Sequence, residues 1–220
     1  MKLDAKLERL PGIYIKNMLD RSVDFGRLPA DYIGSFWRIT ASKGQDGYLP
    51  YVELKGNDKV RISGLAYFKG DQMLGAIDPI EIGLFMEFIG VGEGGYGIYI
   101  DIPDQAGTVL LMGRKRITDI QTAVRNGKPE ARVNIMIEAD IDEKNSDAKL
   151  DDSNIIRRIA KHASTQMAKS QEELVKKMQA EESDIFGFGE YVRAKQPAYW
   201  KKEVRTKDRW RPIFKEMDVH

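Results

Sequence analysis

Ala131-Arg132-Val133-Asn134-Ile135-Met136-Ile137-Glu138-Ala139-Asp140-Ile141 carries the period of a half-buried strand. Val133, Ile135, Ile137, Ala139 and Ile141 fall on one face, with Arg132, Asn134, Glu138 and Asp140 on the other. Upstream, Arg125-Asn126-Gly127-Lys128 contains Asn-Gly, the strongest short hairpin signal, because a type I′ turn needs positive φ at both central residues. Lys115–Val124 is therefore expected to pair with Ala131–Ile141. Downstream, Asp151, Asp152 and Ser153 offer capping oxygens to the longest helix, expected from Asn154 to Glu181. Its apolar face is Ile156, Ile159, Ala163, Met167, Leu174 and Met178, at steps of three, four and seven, so it should pack on the sheet. Glu172–Lys176 and Glu173–Lys177 place acid before base at i,i+4.

Toward the N-terminus, Tyr96–Ile102 and Val109–Met112 read as strands. Pro79 is suited to the first turn of an apolar helix through Ile82, Phe85 and Phe88. Val60, Ile62, Gly64, Ala66 and Phe68 alternate with Arg61, Ser63, Leu65 and Tyr67, and Lys69-Gly70-Asp71 turns that strand into Gln72–Ala76. Before the turn cluster Gly56-Asn57-Asp58 the chain reads as helix and loop, with Gly44 to Pro50 as loop chemistry. The expected division is residues 1–55, the end of a middle domain, and residues 56–220, a C-terminal α+β domain. Strands followed by helices predict α+β: an antiparallel sheet against a long helix and shorter C-terminal helices, preceded by a small mainly helical segment.

Composition limits the chemistry. Lys and Arg number 35 against 34 Asp and Glu, so no global field favours nucleic acid or another anionic polymer. With no cysteine, disulfides and thiolate chemistry are excluded, and His162 and His220 alone supply imidazole. No run of about 18 apolar residues occurs. Gly90-Val91-Gly92-Glu93-Gly94-Gly95 has the letters of a dinucleotide loop but follows a helix and leads into a strand, the reverse of the order a pyrophosphate site needs. An EF-hand starting at Asp140 would put Asn145 where glycine is required and Asp151 at position twelve, so Asp140, Asp142, Glu143, Asp147, Asp151 and Asp152 read as a solvated connection. No nucleophile motif is present, nothing singles out a carboxylate pair for hydrolysis, and no cofactor is expected. Tyr191 to Lys215 interleaves cations with Tyr199, Trp200, Trp210 and Phe214. Tryptophans there are expected to anchor the core beneath solvated lysines.

Directly after the long helix comes Asp184-Ile185-Phe186-Gly187-Phe188-Gly189-Glu190, which suggests rings packed by a sharply bending chain. With Pro197, Trp200, Lys201 and Trp210, this run resembles the C-terminal region of the Ger(x)C family, the lipoprotein C subunits of bacterial spore germinant receptors. Ile62–Asp71 with Met73, Leu74 and Gly75 is similar to the family's entry into its last domain, and the stretch through Leu49-Pro50 to the end of its middle domain. The family's signal sequence, lipid-bearing cysteine and first domain have no counterpart here, and the final strand is expected to be incomplete after His220, so the resemblance implies a fragment.

The resemblance further implies a non-enzymatic scaffold, lipid-anchored on the outer face of the spore inner membrane. Its implied partners are the membrane-embedded A and B receptor subunits, with no role for nucleic acid. The alternative is an extracytoplasmic module that binds a small germinant itself, with the Gly90–Gly97 loop as its rim. Asp184, Phe186, Gly187, Phe188, Gly189, Glu190, Trp200 and Trp210 are the candidate motif or interaction residues. Asp184 and Glu190 are expected to cap helix ends, and the four aromatic residues to lock the C-terminal helices onto the sheet.

Overall fold

The computed structural model describes residues 11–30, 33–56, 59–90, 96–104, 106–145 and 149–220. The Asn126-Gly127 signal closes the longest hairpin, with φ of 50° and 77° at its two central residues. Thr108–Arg125 (β5) pairs antiparallel with Lys128–Asn145 (β6), and the two stretches expected as Val109–Met112 and Lys115–Val124 are one strand, bulged between Gly113 and Lys115. Gly97–Asp101 (β4) lies on the free side of β5. On the other edge, Asp218–Val219 (β7) runs parallel to Glu130 and Ala131.

A second, three-stranded sheet precedes this one, so the expected sheet is two. It comprises Tyr48–Lys55 (β1), Lys59–Lys69 (β2) and Gln72–Ile77 (β3), with β2 in the centre. Residues 48–50 were expected in a loop and residues 48–55 before the division at residue 56, yet β1 pairs with β2 across it, from Tyr48↔Tyr67 to Lys55↔Lys59. Asn57 and Asp58 of the expected turn lie outside the described residues. Simple alternation fails late in β2, where Leu65, Ala66 and Tyr67 are all buried, because both faces are covered. On one face Tyr48, opposite Tyr67, meets Phe85 at 4.9 Å; on the other, Phe68 meets Phe36 edge-on at 5.2 Å.

Those covering rings come from helices. Phe36 sits in Ile33–Ala41 (α2), which follows Pro11–Asp24 (α1), and Phe85 in Pro79–Phe88 (α3). Helix α3 starts on a capping box: the Asp78 carboxylate accepts from the Ile80 and Glu81 N–H groups at 2.8 Å, and Glu81 accepts from the Asp78 N–H at 2.8 Å.

The long helix is Ser153–Ala180 (α4), capped by Asp152, which accepts from the Asn154 N–H. Lys177, expected to pair with Glu173, instead reaches Glu81 at 2.7 Å and ties α4 to α3. The chain then forms Phe188–Lys195 (α5) and Pro197–Tyr199 (α6), which continues as a π-helical turn, Trp200–Val204. Lys207–Lys215 (α7) precedes β7.

Candidate functional site

Asp184 to Gly187 link α4 to α5 and Phe188 to Glu190 open α5, and most of these positions answer to a distinct physical demand. Asp184 is fully buried. Its carboxylate accepts the backbone N–H groups of Gly187 (2.8 Å), Phe188 (3.1 Å) and Gly189 (2.8 Å), and the Trp210 indole N–H at 2.9 Å. Asp184 thus caps the first turn of α5, as expected, while fastening α7 to it. Burial pushes its carboxyl up to about 7, opposed by the Gly189, Trp210 and Phe188 donors. All four hydrogen bonds run toward the carboxylate, so this cradle is matched to the ionised form.

The glycines serve the same turn. Gly187 holds φ +80°, where a side chain is strained. At Gly189 the constraint is space: a Cβ would lie 2.6 Å from both the Gly44 Cα and the Trp210 Nε1. Here the loop of residues 42–47 crosses the start of α5 backbone against backbone. Glu190 completes the crossing by accepting the Gly44 N–H at 2.8 Å on one oxygen and the Arg193 Nε–H at 2.7 Å on the other. Its task is to hold this loop, not to cap a neighbouring helix.

Between the glycines, Phe186 and Phe188 enter a continuous ring cluster. Phe186 lies 4.6 Å from Phe88 and 5.5 Å from Phe188, which continues to Phe214; Trp200 and Trp210 are 5.7 Å apart. Phe186, Phe188, Trp200 and Trp210 are at most 5% exposed, so they serve packing, and Trp200 alone among them shows an edge to a surface depression. They lock α5, α7 and the π-helical turn to α3.

Asp46, Lys207 and Arg211 share this centre. Asp46 is fully buried and bonds Arg211 at 2.8 Å, with the Lys207 ammonium at 3.9 Å. It also accepts the Asp184 N–H at 3.3 Å and donates its own N–H to the Asp184 carbonyl at 2.8 Å. Burial lowers the Lys207 pKa, and the Asp46 carboxylate opposes that shift. Lys207 and Arg211 belong to the cation-rich segment expected to be solvated, but Arg211 is buried; its pairing with Asp46, 165 positions away, leaves no periodic trace.

What this region offers to solvent is mainly basic, with Glu190 paired to Arg193 and with Glu203 and Asp208 exposed beside the cations. Lys43, Arg193 and Lys201 surround a depression of about 510 Å³ floored by Trp200. Lys195, Lys202 and Arg205 are exposed on the same helices. Arg205 ends the π-helical turn at φ +63°, a strained position for a side chain. Among the described residues, no group of three or more His, Cys, Asp or Glu gathers as a metal site, and no helix is long and apolar enough to cross a membrane. Of the Gly90–Gly95 stretch only Gly90 is described, and Asp147 also lies outside the described residues.

Residues 63–220 match the family model "Spore germination B3/ GerAC like, C-terminal". Over 231 residues the chain is 22% identical to the putative spore germination protein YfkR of Bacillus subtilis (strain 168), covering 100% of this chain and 57% of that protein. It is 24% identical over 235 residues to spore germination protein KC of the same strain, covering 96% and 55%, and 22% identical over 176 residues to spore germination protein GerQC of Bacillus cereus, covering 79% and 48%. The chain therefore spans about half the length of the curated relatives it matches. The crystal structure of the GerBC protein superposes with a TM-score of 0.74 at 19% identity, over 87% of this chain and 59% of that one, and shares its α+β fold.

Proposed function

We propose that this chain, which belongs to the GerAC-like C-terminal family of spore germination proteins, is part of a germinant-receptor C subunit and works as a non-enzymatic scaffold. In this reading it sits on the outer face of the spore inner membrane through a lipid anchor on the full-length protein. There it contacts the membrane-embedded A and B receptor subunits and helps couple nutrient sensing to germination.

The observation that carries the contact surface is the split between buried motif and exposed charge. The aromatic residues and Asp184 are consumed in holding α5, α7 and the 42–47 loop together, which leaves Lys43, Arg193, Lys201, Lys202 and Arg205 displayed on a rigid support. Exposed cations on a fixed backbone suit an acidic protein segment, since their geometry is set before binding and little ordering entropy is lost.

Co-purification from spore inner membranes tests this. Full-length protein should bring down the integral receptor subunits, and the combined Arg193→Ala, Lys201→Ala and Arg205→Ala variant should lose them while keeping its unfolding midpoint. Failure of the wild-type protein to recover any receptor subunit would overturn the scaffold role.

A further inference from the structure

The buried side chains form two separate clusters, one containing Ile120 and Ala131 and the other Ile100, Val109, Ile159 and Ala163. Between them α4 and the four-stranded sheet do not close. A cavity of about 560 Å³ separates Ile135, Ile137 and Ile141 of β6 from Ile156, Ala160 and Met167 of α4. The cause is legible in the helix: Ala160, Ser164 and Ala168, four residues apart on the facing stripe, are too short to span the gap between layers. Apolar groups that ordinarily fill a core therefore stay wet, with Ile156 36% exposed and Ala160 exposed.

Polar groups converge at the α3 end. Glu87 lines the cavity at 9% exposure, and its carboxylate accepts a hydrogen bond from the Gln171 amide. Tyr96 and Arg116 line the same end. Burial pushes the Glu87 carboxyl up to about 7, while the Gln171 hydrogen bond and the Arg116 charge pull it back. A volume of this size is within the range of small-molecule sites, about 300–1,000 Å³, which combine apolar walls with a few convergent polar groups.

The charges narrow the ligand. A cationic head would be drawn to Glu87 and repelled by Arg116, an anionic head the reverse, and either would lose its hydration against isoleucine walls. An uncharged head can accept from Gln171 or exchange a hydrogen bond with Glu87 without that penalty. We propose that this cleft binds a small molecule with an apolar body and one uncharged hydrogen-bonding head, an alcohol or a primary amide. The head sits at Glu87 and Gln171, and the body lies between Ile137 and Ala160. The cleft shares no lining residue with the basic depression, so the two readings stand or fall separately.

The test is titration of the whole chain, followed by backbone amide resonances, with hexanamide, hexanol, hexylammonium and hexanoate. Saturable shifts at Ile137, Ala160 and Ser164 are expected from hexanamide and hexanol, with the two charged probes binding about tenfold more weakly. Glu87→Met, which keeps the bulk of the side chain, should weaken hexanamide about tenfold with the fold retained, and Ala160→Phe should abolish binding by filling the cleft. No saturable shift with any probe, equal affinity for charged and uncharged heads, or unchanged affinity in Glu87→Met would each overturn the proposal.

Discussion

The Trp210 indole N–H bonds the Asp184 carboxylate at 2.9 Å, joining α7 to the turn after α4 across 26 residues of sequence. Three backbone N–H groups of that turn converge on the same carboxylate, so one buried acid fixes both the entry to α5 and the seat of α7. Asp184→Asn keeps the shape but points an amide N–H₂ at groups that are themselves donors. The expected loss is about 3 kcal/mol, read from urea unfolding, and a loss under about 1 kcal/mol would show that the cradle does not depend on the charge.

The backbone crossing at Gly44 and Gly189 has its own signature. A Cβ at Gly189 meets the Gly44 backbone and the buried Trp210 ring, neither of which can yield easily, so Gly189→Ala should cost about 3 kcal/mol, the upper end for overpacking. Gly12 is the control: among the described residues nothing lies within 4 Å of a Cβ there. As a helical position in α1 it should accept alanine with no loss, or with a gain of about 0.5 kcal/mol. Equal effects at the two sites in thermal unfolding would contradict the crossing.

Asp46 and Arg211 form a buried ion pair at 2.8 Å. Removing either partner leaves the other a weaker one, Asp208 at 2.8 Å for Arg211 and Lys207 at 3.9 Å for Asp46, so Asp46→Ala and Arg211→Ala should each cost about 2–3 kcal/mol. The double variant should cost much less than the sum, with a coupling energy of about 2 kcal/mol or more in a double-mutant cycle. Additive losses would mean that the pair does not interact.

Glu87 ties stability to pH. Its carboxyl titrates at about 7 in the folded chain against an ordinary 4.5. Between those values the folded chain keeps a proton that the unfolded chain has released, so this group's contribution is full below pH 4.5 and is lost as pH rises through 7. Glu87→Gln removes the dependence. The variant should gain on the wild type by about 2 kcal/mol between pH 5 and pH 8 in paired unfolding curves. A difference that stays flat with pH would contradict a buried, strained carboxyl.

Local periodicity made much of this fold legible. The Asn126-Gly127 hairpin and the Pro79 helix start are short-range signals that the structure bears out, whereas the β6 face and the α4 stripe, expected to meet as core, are only partly buried, with Ala139 and Ile156 exposed across an open cleft. Strand β1 escaped notice because Tyr48 and Leu49 stand beside Pro50 after a run of loop-forming residues, and only pairing with β2 makes them a strand. The late part of β2 broke its alternation because α2 and α3 cover opposite faces, a tertiary fact. At the motif, ring packing could be read from Phe186, Phe188, Trp200 and Trp210. The role of Gly44 and the Asp46–Arg211 pair could not, since both are contacts between distant segments. The Asp78–Glu81 capping box was present as a sequence signal and was missed.

The scaffold account is tested most directly by photo-crosslinking in intact spores, with a benzoylphenylalanine placed at Lys201 in the full-length protein and, as the comparison, at the exposed Lys161 on α4. The account predicts adducts between position 201 and a membrane-embedded receptor subunit and none from position 161. Adducts from position 161 alone, or none from position 201 in a protein that supports germination, would contradict it.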